Sequence, residues 1–216
     1  MKPALIVVDM QHDFVHGSLA VPDAVSIIDP INHLLTLPFS IKLATRDWHP
    51  HDHISFAQTH HMPVFSKITL HHPISPPDGA EKKSLVQDLW PVHCVAHSPG
   101  ADFVHGFNHN AVQDIVHKGE DPAIDSYSGF RDAWQLHDTR LPAILQRAAI
   151  TDVFVVGLAG DYCVKWTALD AVDFGYKTWV VRDAVKSVFP AGNEWNEMTQ
   201  KGIRITDIKE VESLIK

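Results

Sequence analysis

The chain has 216 residues, of which 45% are hydrophobic, enough to bury the core of one α/β domain of ordinary size. Its formal net charge is −8 and its lysines and arginines are scattered, so we expect no nucleic-acid surface. No apolar run is long enough for a membrane span, and the N-terminal run is too short for a signal peptide, which predicts a cytoplasmic protein without a membrane partner.

Five segments are predicted to form strands. Residues 4–10, 152–160 and 177–185 are short, largely apolar runs. Runs of this kind are typical of parallel strands that are buried on both faces. Residues 41–47 and 111–119 are weaker candidates, because their apolar character is interrupted.

Helical periodicity falls between these strands, over residues 27–35, 141–149 and 162–174, and Gly175 stands where a helix C-cap is expected. Alternating strands and helices predict an α/β fold with three layers, α/β/α, around a mostly parallel central sheet.

We expect one domain over residues 1–216, with a long excursion at about 48–100. The central part of this excursion, residues 60–98, is rich in proline and histidine and shows no clear period. Long loops without secondary structure inside a compact domain are usually functional. The pattern therefore favours a loop region that contributes to a site over a second domain.

Polar side chains follow the ends of the predicted strands. Asp9 ends the first strand, Asp47 and His49 end the second, Lys118 ends the third, and Cys163 follows the fourth in the stretch GLAGDYC. Parallel strands end at one edge of a sheet, and ligands bind at that edge in open α/β sheets. A carboxylate, a metal-ligand pair, an ammonium group and a thiol at one edge predict a catalytic site.

Cys163 stands at or near the start of a predicted helix, where the helix dipole favours the thiolate and the preceding turn offers N–H groups to an oxyanion. Asp9 follows a wholly apolar strand, so it needs a cationic partner such as Lys118, and it could take the thiol proton. Taken singly, Cys163 is more simply a buried core residue, and the two charged residues are more simply solvated. We expect the thiols of Cys94 and Cys163 to be free, a bridge between them being the alternative.

Asp47 and His49 are separated by one residue, so in an extended segment both side chains point the same way, as ligands of one metal ion would. His93, in LWPVHCV, is the third candidate ligand, and His53 is a further one, bound directly or through water. Two histidines and one carboxylate are typical of a divalent-metal site that leaves room for substrate or water. The Asp-x-His pair alone is a weak signal, since ordinary surface polarity also produces it.

The chain resembles the nicotinamidases of the isochorismatase-like cysteine hydrolase superfamily in LIVVDMQHDFVHGSLAVPDA, ATRDWHPHDHISFA, LWPVHCVAHSPGADF, VHKGEDPAIDSYSGF and VVGLAGDYCVKWTALDAVDFGYKT. The resemblance covers nearly the whole chain and implies the isochorismatase-like hydrolase fold. It implies an amidohydrolase that converts nicotinamide to nicotinate and ammonia and also accepts pyrazinamide. Sister hydrolases that act on isochorismate, carbamoyl-amines or ureidoacrylate generally lack the DWH and WPVHC stretches, which this chain keeps.

The resemblance implies roles for the residues already singled out. The implied catalytic triad is Asp9, Lys118 and Cys163. The implied ligands of one divalent ion are Asp47, His49 and His93, and His53 matches a position that ligates only in some members. Zinc is favoured as the ion, with iron and manganese as alternatives.

The substrate residues also follow from the resemblance. Phe14 and Trp90 would sandwich the pyridine ring, and Tyr127 lies in the matching SYSGF stretch. The family pattern implies a cis peptide bond between Leu158 and Ala159, which would turn N–H groups toward the oxyanion.

This chain departs from the family pattern at Gly160, where members commonly carry a larger residue such as Thr or Leu. Two other classes of function stay open. One is a metallohydrolase in which metal-activated water is the nucleophile and Cys163 only packs; the other is a non-catalytic binding module on the same fold. The sequence also leaves open a homo-oligomer and the physiological role, NAD salvage or detoxification.

Overall fold

The computed structural model describes residues 1–74, 83–190 and 192–216. The strands within these residues are β1 (Pro3–Val8), β2 (Ile41–Asp47), β3 (Lys67–His71), β4 (Ser84–Asp88), β5 (Asp114–Lys118), β6 (Asp152–Leu158), β7 (Lys177–Lys186) and β8 (Arg204–Thr206). Six of them form one sheet, in the order β5-β2-β1-β6-β7-β8, and every neighbouring pair in it is parallel. β3 and β4 form a separate antiparallel pair.

The helices of the described residues are α1 (His12–Val15), α2 (Ile28–Leu34), α3 (Leu141–Arg147), α4 (Cys163–Asp173), α5 (Asn193–Gln200) and α6 (Ile208–Leu214). One apolar cluster joins the sheet to α2 and α6, and a second joins its other face to α3, α4 and α5. This arrangement confirms the predicted α/β/α layers. In the described parts of the chain, no helix has the length and apolarity that a membrane crossing needs.

The central strand β1 shows why this sequence forms a sheet covered on both sides. Leu5 and Val7 belong to one apolar cluster, and Ala4, Ile6 and Val8 belong to the other. Side chains alternate between the two faces of a strand, so a continuous apolar run satisfies both helical layers at once. All six residues of β1 are buried.

The five predicted strands are all present, with some differences in their bounds. β2 has the predicted bounds, whereas β5 begins later because residues His109–Ala111 form a short 3-10 helix. The strand predicted to end at residue 160 ends at Leu158, where the chain turns toward α4. Sequence reasoning missed α1 and the C-terminal elements α5, β8 and α6, which are short and largely polar.

The prediction that residues 60–98 have no regular structure was wrong in part, because β3 and β4 pair there. β3 alternates half-buried Ile68 and Leu70 with exposed neighbours, the period-2 pattern of a strand with one covered face. β4 leads directly to Trp90 and His93, so this pair of strands helps to place residues of the candidate site. Residues 75–82 of the excursion lie outside the described residues.

The strand order places a ligand-binding crevice at the ends of β1 and β6. From β1 the chain continues to β2 and β5 on one side, and β6, β7 and β8 then fill the other, so β1 and β6 flank the point where the order reverses. Gly157 allows the two strand ends to approach, since a Cβ there would lie 2.1 Å from the carbonyl oxygen of Val8, and its φ of +111° disfavours other residues. Asp9 and the turn before Cys163 therefore emerge side by side.

Candidate active site

Asp9, Lys118 and Cys163 come together at this crevice, as predicted. Oδ2 of Asp9 lies 2.9 Å from Nζ of Lys118, and Nζ lies 3.4 Å from Sγ of Cys163. The polar side-chain atoms of Asp9 and Cys163 lie within 4.8 Å of each other. All three side chains are almost fully buried, Asp9 at the end of β1, Lys118 at the end of β5 and Cys163 at the first residue of α4.

Lys118 is shared between two carboxylates, which sequence reasoning did not foresee. Besides Asp9, its ammonium group contacts Oδ1 of Asp47 in a short, buried ion pair. The pairing of β2 with β5 produces this contact, because Asp47 and Lys118 are register partners across those strands. The catalytic residues and the candidate metal ligands are therefore joined through one lysine.

The electrostatics of the three residues follow from burial and charge. Burial raises the pKa of the Cys163 thiol well above its ordinary value, although the ammonium of Lys118 opposes the shift. Burial also raises the pKa of Asp9, to about 6, against the pull of the same ammonium. Burial would lower the pKa of Lys118, but the carboxylates of Asp47 and Asp9 raise it well above its ordinary value. At neutral pH the resting site thus holds a thiol, a carboxylate and an ammonium.

Thr45 supports the Asp9 carboxylate. Its hydroxyl is buried, donates a hydrogen bond of 2.5 Å to Oδ1 of Asp9 and accepts one of 3.3 Å from the backbone N–H of the same residue. Oδ2 of Asp9 has no hydrogen bond of good geometry among the described residues and faces the ammonium of Lys118. One oxygen of the carboxylate is thus held in place, while the other is free to exchange a proton.

Asp47, His49 and His93 form the metal-type cluster that the sequence predicts. Oδ2 of Asp47 lies 3.5 Å from Nε2 of His49 and 3.9 Å from Nε2 of His93. Nδ1 of each ring is held 2.8 Å from a backbone carbonyl oxygen, that of Gly119 for His49 and that of Pro91 for His93. Histidine ligands of metals are usually fixed in this way by a hydrogen bond at the other ring nitrogen. The arrangement could hold a divalent ion.

Charge supports the same interpretation for Asp47 and His93. Burial would raise the pKa of Asp47, but Lys118 and His49 hold it below its ordinary value, so this ligand is ionised. Burial lowers the pKa of His93 to about 4, so its ring is neutral, as a metal ligand must be. Burial would lower the pKa of His49 as well, but the carboxylate of Asp47 raises it.

His53 lies beside this cluster. Its ring stacks on that of His49 with centroids 4.0 Å apart, and its Nδ1 lies 2.8 Å from the hydroxyl of Ser55. Nε2 of His53 is buried and has no hydrogen-bond partner among the described residues. Burial lowers the pKa of this ring to about 2. His53 can form a second ligand group with His49 and Asp125, a residue that sequence reasoning missed.

A small cavity lies between the thiol of Cys163 and the metal-type cluster. Its lining includes the thiol, the metal-type cluster and four of the five predicted substrate residues, Phe14, Trp90, Tyr127 and Ala159. The indole N–H of Trp90 donates to the hydroxyl of Tyr127 over 3.1 Å, which fixes the two rings relative to each other. Leu158 does not line the cavity, because its side chain is fully buried in the apolar core.

Comparison with known proteins agrees with this geometry. Residues 51–210 match the Isochorismatase domain family. The chain belongs to the isochorismatase family. Within it, a nicotinamidase of Escherichia coli is 40% identical over 189 residues, which are 86% of this chain and 83% of that protein.

Solved structures of the isochorismatase family have the same fold. A nicotinamidase and pyrazinamidase of Acinetobacter baumanii superposes with a TM-score of 0.87 at 40% identity, covering 97% of this chain and 98% of that one. A pyrazinamidase of Pyrococcus horikoshii, solved in complex with zinc, superposes with a TM-score of 0.74 at 35% identity, covering 96% and 100% of the two chains. The predicted isochorismatase-like fold is confirmed.

The turn before Cys163 has the conformation that the family pattern implies, since the Leu158–Ala159 peptide bond is cis. The N–H groups of Ala159 and Cys163 donate to no other backbone group in the part of the chain that the structure describes. They are thus available to a ligand in the cavity. At Gly160 a Cβ would lie 2.5 Å from Oγ of Ser187 and 2.8 Å from Cγ1 of Val185 on β7, so a larger residue would require these neighbours to shift.

Proposed function

We propose that this chain is a nicotinamidase, which hydrolyses nicotinamide to nicotinate and ammonia and also accepts pyrazinamide. One observation carries the proposal: the cysteine of a buried Cys-Lys-Asp triad and an Asp-His-His cluster line the same small aromatic cavity. The names of the relatives support the choice of substrate. The aromatic side chains of Phe14, Trp90 and Tyr127 that line the cavity suit a ligand with a flat ring.

Cys163 acts as the nucleophile and Asp9 as its base. Because the thiol is neutral at rest, its proton moves to Asp9 as sulfur attacks the carboxamide carbon. Oδ2 of Asp9, which faces Lys118 without a hydrogen bond of good geometry, is the atom that receives the proton. Lys118 keeps its positive charge throughout and stabilises the thiolate that forms 3.4 Å away.

The N–H groups of Ala159 and Cys163 stabilise the oxyanion of the tetrahedral intermediate. Asp9 then returns its proton to the leaving nitrogen, so that ammonia departs and a thioester to Cys163 remains. Asp9 next deprotonates a water molecule, which attacks the thioester carbon. The sulfur leaves and takes back a proton from Asp9, which restores the resting site, and the nicotinic acid released loses its own proton to solvent as nicotinate.

Asp47, His49 and His93 would hold the divalent ion, with His53 close enough to contribute directly or through water. When bound, the ion would coordinate the pyridine nitrogen and so orient the ring. We propose zinc, because mixed nitrogen and oxygen ligands suit it and because the Pyrococcus horikoshii relative was solved with zinc. Phe14 and Trp90 contact the faces of the ring, and Tyr127 braces the indole.

The direct test measures ammonia released from nicotinamide together with the metal content of the same sample. We expect turnover and about one equivalent of a divalent ion per chain. Activity that survives in Cys163→Ala would favour the metallohydrolase alternative, and a folded protein without turnover would favour a binding module. A single domain over residues 1–216, a homo-oligomer and a cytoplasmic location remain predictions.

A further inference from the structure

The short segment that follows β1 contacts two parts of the candidate metal site, the end of β2 that carries Asp47 and the loop that carries His93. Gln11 and Asp13 lie two residues apart, just before and inside α1. Gln11 binds the backbone of Asp47, and Asp13 binds the backbone next to His93. The residues joined by the Gln11–Asp47 contact lie 36 positions apart in the sequence, and those joined by the Asp13–Cys94 contact lie 81 positions apart. No local sequence pattern connects them.

Gln11 pairs with both backbone groups of Asp47. Its amide N–H donates to the carbonyl oxygen of Asp47 over 2.8 Å, and its amide oxygen accepts from the N–H of Asp47, also over 2.8 Å. A second amide hydrogen bond of 3.0 Å reaches the carbonyl oxygen of Ala101. The side chain is fully buried, so replacing it would remove the partner of both backbone groups of Asp47, whereas the carbonyl of Ala101 would keep its hydrogen bonds from Arg46. The amide therefore fixes the position of Asp47.

Asp13 fixes the loop that carries His93. Its Oδ2 accepts a hydrogen bond of 2.8 Å from the N–H of Cys94, the residue after His93. Cys94 has a φ of +46°, a conformation that residues other than glycine rarely adopt without support. Gly17 and Gly100 leave the space for the carboxylate, since a Cβ at either would lie 2.1 Å from an oxygen of Asp13.

We propose that Gln11 and Asp13 are positioning residues that preassemble the metal site by holding Asp47 and His93 in place before the ion binds. The ring of Phe14, on the same segment, packs against that of His93 with centroids 5.4 Å apart. A single short segment thus fixes two metal ligands and one wall of the cavity. The inference rests on the metal site proposed above. It adds that the affinity for metal depends on residues that do not touch the ion.

The test measures the affinity of the full chain for Zn²⁺ alone, by competition with a chromophoric chelator, in Gln11→Ala and Asp13→Ala. Loss of a residue that orients metal ligands typically weakens metal binding by about 10-fold to 100-fold, and we expect that range for each variant. Asp13→Asn keeps an oxygen that can accept from Cys94, so it should retain near wild-type affinity. Excess Zn²⁺ should restore much of the nicotinamide turnover of the Ala variants.

Gln113→Ala is the matched control. The side-chain oxygen of Gln113 accepts a hydrogen bond of 2.6 Å from the N–H of Lys42, so it braces the same strand β2 far from the site. Its loss should leave the Zn²⁺ affinity unchanged. If the Ala variants do not fold, Gln11→Glu and Asp13→Asn replace them. The carboxylate that Gln11→Glu introduces cannot donate to the carbonyl of Asp47, so only this variant of the two should lose affinity.

The outcomes separate the two proposals. A wild-type chain that binds no Zn²⁺ overturns the proposed metal site and this inference with it. A wild-type chain that binds Zn²⁺, with folded Gln11 and Asp13 variants that bind it equally well, overturns the positioning role alone. Weaker binding in Asp13→Ala that Asp13→Asn does not restore also contradicts it, because the hydrogen bond to Cys94 would then be irrelevant.

Discussion

The triad of Asp9, Lys118 and Cys163 stands at the ends of two sheet strands and the start of a helix, whereas the Asp-His-His cluster draws His49 and His93 from irregular segments. The first half is fixed by the sheet itself. The second half depends on hydrogen bonds from side chains to the backbone, such as those of Gln11 and Asp13. The residues proposed to make and break bonds therefore stand on regular secondary structure.

The two halves are nevertheless joined through a single ammonium group. Lys118 contacts Asp9 in one half and Asp47 in the other, and all three side chains are buried. Buried charges are stabilised only while their partners stay in place. Substitutions in each half, ordered by expected effect, show how far one half works without the other.

The largest effect is expected from Cys163→Ala. Covalent catalysis has no substitute route at a site without a second thiol, so nicotinamide turnover should fall by about 10⁴-fold or more. Cys94→Ser is the matched control, since Cys94 is also buried but its thiol lies against the carbonyl of Gly100 and makes no hydrogen bond to the triad. It should cost little activity. A Cys163→Ala enzyme that keeps about a tenth of wild-type turnover would rule out the thiol mechanism.

The second-largest loss of activity is expected from Asp9→Asn, which keeps the shape of the side chain but removes the base. Turnover should fall by about 10²-fold to 10⁴-fold. Because the pKa of Asp9 is raised to about 6, the wild-type base is protonated below that pH and charged above it. The kcat/KM of the wild type should therefore rise with pH through about 6, and this rise should be absent from the variant. Normal turnover by Asp9→Asn would refute the role.

The same contrast explains what the sequence could and could not predict. The apolar run that ends in Asp9, and the helix that starts at Cys163, are local patterns, so both residues and the α/β/α layers were predictable. The contact between Lys118 and Asp47 depends on which strands are neighbours, which no single segment reveals.

The supporting residues were harder to predict for a physical reason. A side chain that pairs with distant backbone, as Gln11 does with Asp47, leaves no periodicity or spacing in the sequence. Asp-x-His spacing and family resemblance did identify the metal-type residues, but their second ring nitrogens are held by the carbonyls of Gly119 and Pro91, which only the folded chain shows.

The third prediction tests the metal half through the substrate. If an ion on Asp47, His49 and His93 holds the pyridine nitrogen, benzamide, which lacks this nitrogen, should be hydrolysed about 10²-fold to 10⁴-fold less efficiently than nicotinamide. Pyrazinamide keeps a ring nitrogen at that place and should remain a good substrate. In His49→Ala, nicotinamide should fall toward the benzamide level while the triad stays intact. Equal kcat/KM values for benzamide and nicotinamide in the wild type would show that the cluster does not hold the ring.

The smallest effect is expected at Trp90 and Tyr127, two aromatic residues that line the cavity and belong to neither half. The hydroxyl of Tyr127 accepts hydrogen bonds from the indole of Trp90 over 3.1 Å and from the amide of Gln87 over 2.9 Å. Tyr127→Phe removes this acceptor, and since Gln87 keeps its bond to Asp125, the indole N–H is the group left without a partner. Such a loss costs about 1 to 3 kcal/mol of folding free energy, which a denaturant titration would measure. Trp90 would remain in the cavity but less fixed, so KM for nicotinamide should rise several-fold, by about 10-fold at most, with kcat nearly unchanged. A fall in kcat with KM unchanged would instead place the Tyr127 hydroxyl among the groups that act on the reacting carboxamide.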